Sequence, residues 1–276
     1  MPSFDFDRNC YIVRIVYDGP GMAGKTTNLE HVCNVIPARQ RSELVTPAAL
    51  KGRTMFFDWV ELEGPNHEDA LVRFQLISVP GQEARNYRRR PLVEAADVVV
   101  FVADASEEGI NDTQRTFARL RVSMRRRERP LPLVVQANKQ DIEGALTVPQ
   151  LRQKLRLADD VPFVRATANQ GKGVKPTLTL AMRLGVESID TDEVQPLLPQ
   201  LANADTLFDH VLAFEDEPDN GEPIEVEELN LNAEAEADEL SPEMIAAHLS
   251  VSSLDALERK AQRAATKKGG TRASTG

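Results

Sequence analysis

The chain has 276 residues, with 33 Lys+Arg against 43 Asp+Glu and a formal net charge of −10. Residues 1–186 hold 27 basic and 22 acidic side chains and residues 187–276 hold 6 and 21, which excludes a uniformly acidic domain. No run of eighteen apolar residues is present to span a bilayer, and two cysteines, Cys10 and Cys33, cannot form a disulfide framework or, with the four histidines, a spaced zinc site.

In chain order, residues 1–9 read as an N-terminal extension without the basic flank and apolar stretch of a secretory signal. The β-branched, aromatic run Cys10–Tyr17 predicts a strand ending at Asp18-Gly19-Pro20-Gly21, followed by a helix over Lys25–Val35. Met55–Leu62 and Leu71–Val79 predict a hairpin, with Glu63-Gly64-Pro65-Asn66-His67-Glu68 as its turn. Asp97–Asp104 and Leu131–Ala137 are nearly unbroken apolar runs of the kind buried on both faces of a parallel sheet. Between them Asn111–Glu128 has helical spacing, with Phe117, Leu120 and Met124 on one face. A helix over Val148–Leu157, a short strand at Pro162–Arg165 and a helix over Lys175–Val186 complete the body. Alternating strands and helices with one antiparallel pair predict a three-layer α/β domain over residues 10–186, mostly parallel with one antiparallel edge hairpin. An acidic, largely disordered tail is expected over 187–240, within which the apolar residues of 197–214 are candidates to dock a partner or the body, with a short helical segment over 241–268 and a basic terminus over 269–276.

Gly19-Pro20-Gly21-Met22-Ala23-Gly24-Lys25-Thr26 fits G-x-x-x-x-G-K-[ST] between a strand and a helix. Such a loop turns N–H groups, here those of Gly19, Gly21, Met22, Ala23, Gly24, Lys25, Thr26 and Thr27, toward phosphate oxygens. Lys25 adds a cation, and the Thr26 hydroxyl is a Mg²⁺ ligand. Asn138-Lys139-Gln140-Asp141 follows the strand at Leu131–Ala137. A carboxylate at Asp141 accepts from guanine N1–H and NH₂, whereas adenine offers an acceptor there, so the expected ligands are GTP and GDP with Mg²⁺.

These motifs, with Arg53-Thr54-Met55-Phe56-Phe57-Asp58 and Pro80-Gly81-Gln82-Glu83 in this order, resemble the small Ras-like GTPases of bacteria. Among those the chain is most similar to the MglA family of gliding-motility and polarity switches, over roughly residues 9–186. The resemblance implies a P-loop fold of the Ras-like type and a slowly hydrolysing molecular switch. It gives Thr54 a Mg²⁺ and γ-phosphate contact, Gly81 a γ-phosphate contact, Gln82 the orientation of the attacking water, and Arg53 an internal arginine finger. Ala168, in Thr167-Ala168-Asn169, takes the place of a backbone contact to guanine O6. Implied partners are a roadblock-type activating protein and effectors of polarity or motility. The implied location is cytoplasmic, with recruitment to a cell pole or membrane surface by those partners.

One position departs from the Ras-type pattern. Ser78 stands where D-x-x-G has its aspartate, and Asp58 is the expected replacement carboxylate, acting through a metal-bound water. Arg85, Arg88-Arg89-Arg90 and the arginines of 115–129 predict a basic face beside the segment after Gly81. The acidic tail is an intramolecular candidate to cover it, and nucleic acid ranks last because interleaved aromatics are lacking. The alternative to a cycling switch is a nucleotide-bound scaffold acting through the tail and the basic surface.

Overall fold

The computed structural model describes residues 1–47, 57–81, 86–127 and 129–213. The chain divides into two units, 1–222 and 223–276, and every described residue belongs to the first. The expectations for Arg53, Thr54, Gln82, Arg85 and residues 214–276 lie outside the described residues.

The sheet is built on β2 (Cys10–Asp18), all nine residues of which are buried because helices cover both its faces. Its order is β3-β4-β2-β5-β6-β7, with β3 (Asp58–His67), β4 (Ala70–Ser78), β5 (Val98–Asp104), β6 (Leu133–Asn138) and β7 (Phe163–Arg165). β3 pairs antiparallel with β4, and the rest of this path is parallel. One core layer packs Val16, Ile77, Val99, Phe101 and Val135 under α2 (Asn86–Glu94), α3 (Ile110–Arg125) and α4 (Val148–Lys154). The opposite layer packs Val13, Ile15, Leu76 and Val100 under α1 (Lys25–Val35) and α5 (Val174–Glu187). Helix layers on opposite faces of one sheet are the three-layer α/β architecture expected from the alternation.

Four local readings change. The β3–β4 turn falls at Glu68-Asp69, not across Glu63–Glu68, and Glu68 has φ 53. β3 continues through Gly64 and Pro65 by a register shift between Glu63 and Asn66, where the missing proline N–H costs no ladder bond. Within the expected N-terminal extension, β1 (Ser3–Asp5) pairs antiparallel with the start of β2. α2 has no apolar periodicity and contains Pro91, which disfavours a helix interior. It is held by tertiary contacts instead: Leu92 and Val93 are buried, and Arg127 donates to the carbonyls of Val93, Glu94 and Ala96 at its C-terminal end.

The fourth difference is the segment from 187 to 213, read from composition as the beginning of an acidic linker. Here β8 (Gln195–Pro196) pairs parallel with β1, and α6 (Ala204–Ala213) packs beside α2. Leu207 and Val211 recur at helical spacing and enter the first core layer, each contributing about 1.5–3 kcal/mol by burial. Gln75 of β4 donates to the Ala202 carbonyl at 3.1 Å and ties the approach to α6 onto the sheet. Acidic residues at 205 and 209 keep to the exposed face.

Candidate nucleotide-binding site

Strand β2 delivers the phosphate loop and α1 takes it away. Gly24 closes the loop at φ +99, where an added Cβ would lie 2.4 Å from Asn138 Nδ2, so glycine is needed for both conformation and space. Met22 has φ 62 and stands exposed on the loop beside Gly21, whereas Ala23 is buried. Lys25 is buried and donates to the carbonyls of Gly19 and Pro20 at 2.9 and 2.7 Å. Burial pushes its pKa down to about 8; Asp18 and Asp58 oppose that shift, and Arg89 adds to it. Gly81 lies directly on this loop: a Cβ there would stand 2.5 Å from Lys25 Nζ and 2.6 Å from the Gly21 nitrogen.

Thr26 and Thr27 lie in the first turn of α1. Thr26 Oγ1 donates to Asp58 Oδ2 at 2.6 Å, and Ser78 Oγ donates to the same oxygen at 2.5 Å. Thr46 Oγ1 donates to Asp58 Oδ1 at 2.9 Å. Asp58 is fully buried at the start of β3, so its carboxylate is held by hydroxyls from three separate segments. Thr46 was not singled out in the sequence, where it is a lone threonine before a proline. It arrives because residues 41–45 lie along the outer edge of β3, with Ser42 N–H donating to Glu61 O and reciprocal bonds between Val45 and Trp59.

The residues present fit a Mg²⁺ ion. Hard oxygen donors, a single carboxylate and an adjoining phosphate loop suit a cation that keeps several waters. Among the described residues no group of three or more His, Cys, Asp or Glu forms an all-protein metal cage.

The base side is joined to the phosphate loop through Asn138. Its Nδ2 donates to Ala23 O at 2.7 Å, while its Oδ1 accepts the Ala168 N–H at 2.9 Å. The Ala168 N–H expected at guanine O6 therefore meets Asn138 in this structure, and Ala168 itself is buried. Lys139, at φ 64, turns its ammonium onto Asp104 Oδ2 at 2.5 Å. Asp141 is exposed, its Oδ2 accepting from Asn169 Nδ2 at 3.3 Å, which leaves the carboxylate at the rim where a purine edge can reach it. These contacts give the nucleotide a cradle with separate phosphate and base ends.

Of the expected basic face, two arginines turn inward, whereas the surface ion pairs of three others leave their guanidinium groups half-exposed. Arg89 is buried against Asp18, Arg127 caps α2, and Arg90, Arg115 and Arg129 pair with Glu94, Asp112 and Glu193. A run of arginines has the same composition whether it caps helices or faces solvent, so only the packing separates the two.

Comparison with known proteins gives the family. The ADP-ribosylation factor family matches residues 9–180. Mutual gliding-motility protein MglA of Myxococcus xanthus is 35% identical over 179 residues, 64% of this chain and 90% of that protein. Human ADP-ribosylation factor-like protein 4D is 26% identical over 178 residues, 64% of this chain and 81% of that protein. The solved structure of the Arl6 BBS3 small GTPase from Trypanosoma brucei is 23% identical, at TM-score 0.48, covering 64% of this chain and 99% of that one. The chain belongs to the ADP-ribosylation factor family and, with its MglA-like sequence, is a small Ras-like GTPase that binds guanine nucleotide and hydrolyses GTP.

Proposed function

We propose that this GTPase is a slowly hydrolysing, Mg²⁺-dependent switch in which Asp58 provides the carboxylate of the metal site. The observation that carries this reading is the Thr26–Asp58 bond. A hydroxyl that donates its hydrogen to Asp58 keeps the oxygen acceptor character that a Mg²⁺ ligand needs. Bound Mg²⁺ would neutralise charge on the β- and γ-phosphate oxygens. The loop N–H groups from Gly21 to Thr27 and the Lys25 ammonium hold the phosphates, Asp141 reads the guanine edge, and Asn138 and Lys139 fix the loop that carries it. Thr54 and Gly81 sense the γ-phosphate, Gln82 orients the attacking water, and Arg53 neutralises transition-state charge.

The Myxococcus relative, a mutual gliding-motility protein, supports a role in gliding motility, and the family resemblance extends it to cell polarity. A roadblock-type activating protein and polarity effectors would be its partners, in the cytoplasm and at a pole or membrane surface. Among the described residues no helix is long and apolar enough to cross a membrane.

Single-turnover GTP hydrolysis, with and without a roadblock-type protein, tests the reading. Stimulated turnover in the wild type, abolished by Gln82→Leu and by withdrawal of Mg²⁺ in equal measure, is expected. Hydrolysis no faster than that of Gln82→Leu under every condition overturns it.

A further inference from the structure

The phosphate loop stands on a buried negative charge. Asp18, the last residue of β2, is fully buried immediately before Gly19. Its Oδ1 accepts the Gly19 N–H at 2.7 Å, and its Oδ2 is paired with Arg89 of α2. Arg89 is 8% exposed and donates a second bond to the Thr116 carbonyl of α3 at 3.3 Å.

A carboxylate here works against its surroundings. A phosphate loop gathers N–H dipoles and a lysine around a polyanion, and a buried anion beneath it repels the same phosphates with little solvent screening. Asparagine would accept the Gly19 N–H equally well, so what aspartate adds is charge. The partner of that charge is on α2, which opens four residues after Gln82. Asp18 and Arg89 also act with opposite sign on Lys25, which places both within electrostatic range of the ammonium at the phosphate end.

We propose that Asp18 and Arg89 form an electrostatic coupler between the seating of α2 and nucleotide affinity. With α2 seated, Arg89 cancels Asp18 and the loop accepts phosphates. With α2 drawn away, Asp18 becomes an unpaired buried anion beneath them and drives release. Arg89 is thus a positioning residue that acts on the nucleotide through Asp18, and a partner that displaces α2 expels nucleotide without touching it. This rests on the phosphate-loop reading above.

The test is equilibrium binding of GMP, GDP and GTP to the full chain carrying Arg89→Gln, Asp18→Asn or both, alongside thermal melts. Arg89→Gln is expected to weaken GTP about tenfold or more, GDP less and GMP least, because repulsion grows with phosphate charge. Adding Asp18→Asn to Arg89→Gln is expected to return GTP affinity to within about threefold of wild type. Equal losses for the three nucleotides, or a double variant no better than Arg89→Gln, overturn the coupler, since a merely structural pair would not distinguish phosphate number. If Arg89→Gln shows no folding transition, Asp18→Asn decides: affinity rising with phosphate number supports the coupler, and unchanged or lower affinity overturns it. Failure of the wild type to bind any of the three would instead overturn the phosphate-loop reading itself.

Discussion

Ser78 Oγ donates to Asp58 Oδ2 at 2.5 Å, and the two residues are direct cross-strand partners in the β3–β4 pair. On the function proposed above, the hydroxyl on β4 does not substitute for an aspartate; it supports the one on the neighbouring strand. Ser78→Asp, which restores the Ras-type residue, would set two carboxylates face to face in a buried site. It is expected to cost on the order of 3 kcal/mol and to weaken Mg²⁺-dependent GTP binding. Thermal melts and GTP titrations with Mg²⁺ or EDTA check this, and improved binding would contradict it.

Asp58→Asn keeps an oxygen for Thr26 and Ser78 but removes the charge. GTP affinity in Mg²⁺ should fall about tenfold or more, near 1.4 kcal/mol per factor of ten, while affinity in EDTA changes little. An equal fall in both conditions would make Asp58 a fold residue only.

Lys25 gives a pH signature. Its folded, nucleotide-free pKa of about 8 lies below the unfolded value of 10.5 because burial penalises the ammonium. The unfolded chain then carries the extra proton between these values, so nucleotide-free stability rises with pH across that window. Phosphates favour the ammonium, so nucleotide binding takes up a proton above about pH 8 and loses up to about tenfold in affinity per pH unit there. Calorimetry in buffers of different ionisation enthalpy should show this uptake at pH ~9 and not at pH ~6.5. Affinity that stays flat to pH ~9.5 would rule it out.

The docked segment after α5 should be part of the cooperative fold. A chain ended after residue 213 is expected to melt like the full chain, and one ended after 187 to melt earlier, having uncovered the surface met by Leu207 and Val211. Leu207→Ala should cost about 2–4 kcal/mol, whereas Asp209→Ala on the exposed face should stay within about 0.5 kcal/mol. Urea titrations of the four proteins separate these outcomes.

Strands β2, β5 and β6 were legible because burial on both faces demands continuous apolar runs, and Lys25–Val35 because the phosphate loop fixes where its helix begins. The gap left at Ser78 pointed to Asp58, and the structure brings the two side chains together. What escaped depends on partners distant in sequence. Arg89 resembles its neighbours Arg88 and Arg90 until Asp18 is placed beside it, and the apolar residues of 197–213 left open whether they dock on a partner or on the body until Leu207 and Val211 find the core layer under α2. Thr46 carries no signal of its own, because its position comes from backbone pairing of residues 41–45 with β3.

The β1–β8 pair joins Ser3 to Gln195 and Phe4 to Pro196, residues near opposite ends of the described chain. Closing so long a loop costs entropy for only two short strands, so this contact should form after the central sheet and open before it. Its amides would then exchange ahead of those in β2, making the seam between the two ends the place where unfolding starts.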